Sequence, residues 1–247
     1  METLAKVSRV SEKILDRIVS IILVLVLLFA GYSLWNSYTL YRGGFTPDEL
    51  LKFKPKITAD GTNPTLADLM AINEDVTAWI TVDDTRIDHP VVQGEDNLFY
   101  VNRDVYKNFS LAGAIFLDTR NNREFTDPYS LLYGHHMERG GMFGDLVLFE
   151  AENYFNAHKT GTLFLKDETY HIDFFMVSKV DAYDPIIFNP TSISSKASRT
   201  KLLNHAKKLK IYEREIDIGD DNIIALSTCE KATTNGRTVL FGVLRKI

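Results

Sequence analysis

The sequence has a single cysteine and fewer basic than acidic residues, and both scarcities limit what it can do. The one thiol, Cys229, excludes an intrachain disulfide framework and any cysteine-based zinc or iron–sulfur site. Its 33 acidic residues outnumber 28 basic ones, which argues against a nucleic-acid binder with a basic face. With 14 glycines and 7 prolines in 247 residues, low-complexity linkers cannot occupy much of the chain. An apolar content of 45% excludes wholesale disorder.

One long hydrophobic run lies near the N-terminus. Residues 18–41 contain no charged side chain, and about 20 such residues span the hydrocarbon core of a bilayer. The segment before the run carries the basic residues Lys6, Arg9, Lys13 and Arg17. Because basic residues stay on the cytoplasmic side, we predict a single-pass anchor in the cell membrane, a cytoplasmic tail over residues 1–17 and an extracellular remainder. A cleaved signal peptide is the competing interpretation, although a clean cleavage site is missing.

The remainder of the chain is predicted to be mainly β. Thr46-Pro47-Asp48-Glu49 predicts a capping box that starts a short helix, and Asn63-Pro64 predicts the start of a second one. A third helix is predicted over residues 198–209. Short segments rich in aliphatic and aromatic residues indicate strands at 79–82, 114–117, 130–133, 162–165, 170–175, 223–226 and 239–244. Many short strands with few helices favour a closed barrel, a nearly closed one or a sandwich.

Three residues at predicted strand ends could carry chemistry. Cys229 follows the apolar run 223–226, His135 follows another run and Gly134, and Arg237 opens the last strand. Strand ends place side chains at the mouth of a fold, where reagents can reach them. The non-catalytic alternatives are a buried thiol for Cys229, a solvated loop for His135 and a surface cation for Arg237. The neighbouring His136 gives only weak support for a metal site, and we predict no metal.

These three residue types suit acyl transfer without a metal. A free thiol is only a few per cent thiolate at neutral pH, and a nearby imidazolium and guanidinium would favour the anion. His135 could then protonate a leaving amine, and Arg237 could hydrogen-bond the substrate carbonyl or its oxyanion. The sequence predicts a cysteine-based acyl-transfer site if the three side chains meet.

The chain resembles the sortases, the cysteine transpeptidases of Gram-positive bacterial surfaces. Leu226-Ser227-Thr228-Cys229 with Arg237 after it, Tyr133-Gly134-His135 before it and an N-terminal anchor carry the resemblance. The stretches 133–146, 93–97 and 112–118 look like the class B branch in particular. The resemblance implies a sortase-like closed β-barrel with N-terminal helices within 46–76 and one helix, 198–209, between the sixth and seventh strands. It divides the exported part into a linker with helices, 42–76, and a catalytic barrel, 77–247.

The resemblance also implies roles for individual residues. Cys229 would be the nucleophile, His135 the general acid/base and Arg237 the third essential residue, with no cofactor. Positions that match the sorting-signal groove of class B enzymes are Asn97, Val101, Tyr133 and Ser227, and Thr228 is predicted to join them. The loop 181–190 should help to choose the signal.

The function implied is that of a membrane-anchored cysteine transpeptidase. It would cleave the C-terminal sorting signal of a surface protein through a thioacyl intermediate and transfer the protein to an amine of the cell-wall precursor. Alternatives within this chemistry are a pilin-polymerising enzyme, which uses a pilin lysine as acceptor, and a plain exported cysteine peptidase. The non-enzyme alternative is a tethered β-domain that binds a surface ligand, with Cys229 buried and inert.

Overall fold

A computed structural model of the chain describes residues 2–58, 61–229 and 235–247, except the side chains of residues 2–11, 40, 41, 196 and 229. The chain divides into two compact units, Met1–Leu40 and Tyr41–Ile247. The first consists of most of one helix, α1 (Glu2–Gly43). Over Glu12–Thr39 this helix is long and apolar enough to cross a membrane, judged by length and composition.

Two short helices precede the barrel, and one of the two predicted helix starts is wrong in detail. α2 (Asp48–Leu51) has Pro47 at its N-cap and no side-chain cap. The Thr46 hydroxyl instead donates to the carbonyl oxygen of Asp88, so it is not available to the helix. Tertiary contact therefore replaces the predicted capping box.

The second helix, α3 (Pro64–Ile72), begins where Asn63-Pro64 predicted it, with proline in the first turn. Leu66 and Leu69 are fully buried on its inner face. The Asn63 amide nitrogen donates to the Leu165 carbonyl and to the Thr169 hydroxyl, which attaches the helix start to the barrel.

In the described part of the chain nine strands form one closed sheet, which confirms the prediction of a mainly β barrel. They are β1 (Val76–Val82), β2 (Asp88–Val92), β3 (Ile115–Leu117), β4 (Tyr129–Gly134), β5 (Thr160–Phe164), β6 (Thr169–Asp181), β7 (Lys210–Glu213), β8 (Ile223–Cys229) and β9 (Gly236–Lys246). Their order is β5-β1-β2-β3-β4-β8-β9-β6, and pairing of β5 with β6 closes an eight-stranded barrel. β7 extends it by pairing with β6 over Met176–Ser178.

Two of these strands were not predicted. β2 contains Pro90, which lacks a backbone donor and is typical of edges and bulges. The structure tolerates it because β2 pairs with β3 only at Val91 and Val92, after the proline. β7 has four residues, Lys210 and Glu213 among them, so its pattern is too short and too polar to indicate a strand.

The remaining helices are α4 (Glu152–Ala157) and α5 (Lys196–Lys208). α5 lies between the sixth and seventh strands, as the resemblance implied. It begins two residues before the predicted start, because Ser195 and Ser198 cap it reciprocally, each side chain bonding the other's backbone nitrogen.

One face of strands β4, β8 and β9 packs beneath α5 and the β6–α5 loop (residues 182–195). The odd-numbered residues of these strands, including Leu131, Ala225 and Phe241, share a core cluster with Leu202 and Ala206 of α5. Their even-numbered neighbours are also buried and, because side chains alternate along a strand, point to the barrel interior. Positions 133, 227 and 237 therefore lie on the face covered by the β6–α5 loop.

Candidate active site

The three predicted catalytic positions lie at one end of three adjacent strands. β4 and β8 run parallel, with Tyr133 opposite Ser227 and Gly134 opposite Thr228. β8 and β9 run antiparallel, with Cys229 directly opposite Arg237. His135 follows Gly134, so its backbone continues toward the level of Cys229. Since neighbouring strands are about 4.8 Å apart, the three backbones are within reach of one small substrate.

The predicted nucleophile, Cys229, lies partly outside the described residues. The backbone of Cys229 ends β8, but its side chain is not described, and Glu230 belongs to the undescribed segment 230–234. The position of Cys229 is therefore inferred from the register of β8 against its neighbours β4 and β9.

His135 is half-buried and held by one hydrogen bond. Its Nε2 lies 2.7 Å from the carbonyl oxygen of Val101. A carbonyl only accepts, so the proton of this bond sits on Nε2. In the neutral ring the lone pair is then on Nδ1, the nitrogen left to take up a proton. The bond thus fixes which ring nitrogen is left to accept a proton.

A glycine allows the Val101 carbonyl to reach this position. Gly113 has a positive φ of 64°, and a Cβ there would lie 2.6 Å from the Val101 oxygen and 2.7 Å from the Tyr100 oxygen. The next residue, Ala114, donates its backbone N–H to that same Tyr100 oxygen at 3.1 Å. Only glycine fits so close to two carbonyls in this conformation.

Arg237 is half-buried at the start of β9. One of its nitrogens, Nη1, donates to the carbonyl of Gly236 at 3.0 Å. This bond uses one of the five guanidinium N–H groups. The residue after it, Thr238, is fully buried and donates to Glu150 Oε1 at 2.7 Å, which anchors the strand start.

Two predicted groove residues meet at a carboxylate that the sequence did not single out. Asn97 Nδ2 and the Tyr133 hydroxyl donate to Asp118 Oδ2 at 3.1 and 3.0 Å. Asp118 is fully buried, and Arg120 pairs with both of its oxygens at 2.8 and 2.7 Å. Its position directly after an apolar strand, as for Cys229, is the pattern that could have identified it.

The charges of this cluster shift two pKa values in opposite directions. Burial alone raises the pKa of Asp118, but the hydrogen bonds and charge of Arg120 outweigh it, and the pKa lies below its ordinary value. The pKa of Tyr133 is raised, first by burial and then by the neighbouring Asp118 anion. Asp118 is therefore ionised at neutral pH, and Tyr133 keeps its proton.

The β6–α5 loop closes over the same residues. The Phe188 ring stacks on Tyr133 with centroids 6.3 Å apart, and its carbonyl accepts from Arg120 Nη2 at 2.9 Å. Within the loop, Asp184 accepts from the backbone nitrogen of Ile187 at 2.9 Å and from His205 at 2.6 Å. This loop contains most of the segment predicted to choose the signal.

The other predicted groove residues differ in accessibility. Val101 is half-buried and packs with Tyr133 against a core cluster. Ser227 and Thr228 are each 1% exposed, and their hydroxyls have no hydrogen-bond partner among the described residues. Contact of Ser227 or Thr228 with a substrate stays a prediction, and it requires what covers them to move. No group of three potential metal ligands occurs in the described part of the chain.

Comparison with known proteins gives a consistent result, although no family model matches the chain. Sortase B of Listeria monocytogenes is 30% identical over 246 residues, covering 94% of this chain and 98% of the relative. Sortase B of Staphylococcus aureus is 27% identical over 237 residues, covering 93% and 96%.

Solved structures resemble the barrel. A Streptococcus pyogenes class B sortase involved in pilus biogenesis is 44% identical with a TM-score of 0.66, covering 72% of this chain and 97% of that one. A Staphylococcus aureus sortase B–substrate complex is 28% identical with a TM-score of 0.70, covering 76% and 88%. Sortase B from Bacillus anthracis in complex with AAEK1 is 28% identical with a TM-score of 0.71, covering 89% and 100%.

Proposed function

Because the chain belongs to the class B sortases, a family of cysteine transpeptidases, we propose that it cleaves a C-terminal sorting signal through Cys229 and transfers the acyl part to an amine. The observation that carries this proposal is the strand register, which puts Cys229 opposite Arg237 on one side and level with the residue after Gly134 on the other. This register supports the assignment of a thiol, an imidazole and a guanidinium to one site.

The first half-reaction forms a thioester. The Cys229 thiolate attacks the scissile carbonyl carbon, and the developing oxyanion accepts hydrogen bonds from the Arg237 guanidinium. The carbon–nitrogen bond then breaks. His135, which has taken the thiol proton, returns it to the leaving amine. The described tautomer, with the proton on Nε2 and the lone pair on Nδ1, suits the proton-accepting step.

The second half-reaction regenerates the thiol. The acceptor amine attacks the thioester carbon, gives a proton to the Nδ1 lone pair of His135, and displaces the Cys229 sulfur. The thiolate and imidazolium then exchange that proton. One amide is consumed and one is formed, so the step needs no external oxidant, reductant or metal.

The first test follows the covalent intermediate. The full chain in detergent is incubated with a library of pentapeptide sorting signals and an amine, and mass spectrometry records thioacyl enzyme and amide product. Cys229→Ala should abolish both, and His135→Ala should reduce the rate by 10²- to 10⁴-fold, the usual contribution of general acid–base catalysis. His171→Ala removes a histidine that lies opposite Arg245, eight residues along β9 from Arg237, and serves as the control.

Three outcomes would change the proposal. Turnover retained in Cys229→Ala would overturn it. Hydrolysis alone, despite abundant amine, would favour a plain cysteine peptidase. A folded wild-type chain that forms no thioacyl adduct with any peptide, and whose thiol resists alkylation, would favour a tethered binding domain.

The acceptor has two candidates. Transfer to an amine of the cell-wall precursor is the expectation from the sequence. Transfer to a pilin lysine is favoured by one specific observation, the 44% identity to the Streptococcus pyogenes enzyme involved in pilus biogenesis. Triglycine and a lysine-bearing pilin fragment, supplied together at equal concentration, distinguish the two by the mass of the amide product.

We further propose that α1 anchors the enzyme in the cell membrane, with the N-terminus cytoplasmic and the barrel outside. Its apolar stretch is long enough to span a bilayer, and the basic residues before that stretch favour this orientation. Sorting-signal proteins and the acceptor amine are then both available to the barrel at the outer membrane surface.

A further inference from the structure

We propose that Asp118 is a positioning residue for the sorting signal: its buried carboxylate orients Asn97 and Tyr133 and, through Arg120, holds the β6–α5 loop against them. The inference rests on the proposed function, since it assigns these side chains to the groove that the signal peptide occupies. No described contact brings Asp118 to the three proposed catalytic residues, so it acts through other side chains.

The carboxylate is the centre of a fully bonded cluster. It is 0% exposed and receives five hydrogen bonds: from Arg120 N at 3.0 Å, Arg120 Nε at 2.8 Å, Arg120 Nη2 at 2.7 Å, Asn97 Nδ2 at 3.1 Å and the Tyr133 hydroxyl at 3.0 Å. A buried charge is tolerated only with this degree of pairing. Removing the charge therefore changes every group that points at it.

An ionised carboxylate only accepts hydrogen bonds, and this sets the polarity of its neighbours. Tyr133 must donate its hydroxyl proton to Asp118, which fixes its ring against Phe116 and Phe188. Asn97 must turn its amide nitrogen toward Asp118, and its Oδ1 accepts from the backbone nitrogen of Thr119 at 2.9 Å. These two bonds fix the plane of the Asn97 amide, and they therefore fix the direction of its second N–H. No described residue accepts from this second N–H, so it is a donor suited to a carbonyl of a bound peptide.

Arg120 connects this cluster to the loop above it. Its Nη2 donates both to Asp118 and to the Phe188 carbonyl, at 2.7 and 2.9 Å. The Phe188 ring in turn stacks on Tyr133. One carboxylate thus determines both the polar wall of the groove and the position of an aromatic side chain over it.

The test uses Asp118→Asn in the full chain in detergent, with the fluorogenic form of the pentapeptide that the wild type cleaves best. The substitution is isosteric but neutral, and its amide no longer enforces inward donation. We expect KM for the peptide to rise about tenfold while kcat stays within about threefold, the pattern of lost uniform binding. Alkylation of Cys229 by iodoacetamide, which does not use the groove, should proceed at the wild-type rate.

Asp173→Asn is the matched control. Asp173 also pairs with an arginine, accepting from Arg245 Nε at 2.6 Å. It faces Val243 in the β6–β9 register, six residues along β9 from Arg237 and so about 20 Å away. This variant loses a carboxylate–guanidinium pair without touching the groove, and its KM should equal that of the wild type.

The outcomes separate this inference from the proposed function. A wild type that forms no thioacyl enzyme with any library peptide overturns the proposed function itself. Suppose instead that the wild type is active, that Asp118→Asn leaves KM unchanged, and that it lowers the melting temperature as Asp173→Asn does. Asp118 then has only a structural role, and the inference is overturned. If Asp118→Asn does not fold, Arg120→Lys decides. Lysine keeps the positive charge but loses the bidentate pairing with Asp118. An unchanged KM in Arg120→Lys would also overturn the inference.

Discussion

His89 is a buried histidine held neutral by its surroundings. It is 4% exposed on β2, and its Nδ1 lies 2.8 Å from the Thr46 hydroxyl, which itself donates to the Asp88 carbonyl. Nδ1 must therefore be the donor, while Nε2 is buried with no partner among the described residues. Burial lowers the pKa of His89 from 6.5 to about 4, partly opposed by the Asp88 charge.

This shift predicts acid sensitivity at the scale of one residue. Between pH 6.5 and 4 the unfolded chain binds a proton at this position that the folded chain does not bind, so stability falls as the pH falls through that window. The difference corresponds to about 3 kcal/mol between pH 7 and pH 4. His89→Asn keeps an N–H for Thr46 but does not titrate. Urea unfolding at pH 7.5 and pH 4.5 should show the smaller loss in the variant, and equal losses would contradict the prediction.

At the scale of elements, the connection between β2 and β3 positions the hydrogen-bond partner of His135. It forms a 3₁₀ turn over Phe99–Asn102, returns through Gly113, and presents the Val101 carbonyl to His135. The local sequence there has little apolar periodicity. Close approach of Gly113 to two carbonyls, rather than hydrophobic patterning, determines its conformation.

Gly113→Ala should therefore both destabilise the fold and slow the reaction. The new Cβ meets two backbone oxygens at a positive φ, so those carbonyls must shift, and we expect a loss of about 1–3 kcal/mol in the free energy of unfolding. Displacement of the Val101 carbonyl releases the His135 tautomer, so kcat should fall as well. Thermal unfolding and peptide cleavage measure the two effects.

Gly219→Ala is the control for backbone strain alone. Gly219 also has a positive φ, 52°, but the nearest atom to a Cβ there is 3.9 Å away. This variant should lose some stability and keep its kcat. If Gly113→Ala matched Gly219→Ala in both stability and kcat, the position of the Val101 carbonyl would have no effect on the reaction.

At the scale of the whole molecule, the chain is one apolar helix followed by a closed barrel unit. Pairing of β5 with β6 leaves no free edge in the eight-stranded part, and a free edge is where strands of other chains can pair. Along the sequence, the boundary between the units Met1–Leu40 and Tyr41–Ile247 falls within α1, which ends at Gly43. The proposed anchor thus leads directly into the barrel unit.

The anchor predicts a sided protease pattern. In intact cells that express the chain with an N-terminal tag, external protease should remove the barrel and leave a tagged fragment of roughly the first 40 residues, because the bilayer shields the span and tail. Immunoblotting detects the fragment, and permeabilised cells, in which the tag is digested too, are the control. Release of an untagged barrel into the medium without protease would instead indicate a cleaved signal peptide.

Much of the fold could be predicted because strands and helices have local patterns. The apolar segments of β4, β8 and β9 and the helical spacing of α5 are visible in short windows of sequence. β2 and β7 could not be predicted in this way. A proline interrupts the strand pattern of β2, two charged residues interrupt that of β7, and pairing with neighbouring strands stabilises both. The hydroxyl of Thr46 met the local rule for a helix cap, but the Asp88 carbonyl, 42 residues away, accepts from it instead.

The sequence by itself determined the family, the mainly β class, the candidate span, and the placement of histidine, cysteine and arginine at strand ends. These properties depend on residue types and spacings along the chain. Only the tertiary structure decided that Asn97 and Tyr133 converge on Asp118, that Arg120 bonds Phe188, and that Val101 selects the tautomer of His135. Such contacts join segments 15 to 68 residues apart. Strand register and barrel closure create them, and a local pattern carries no information about which distant partner a buried charge will find.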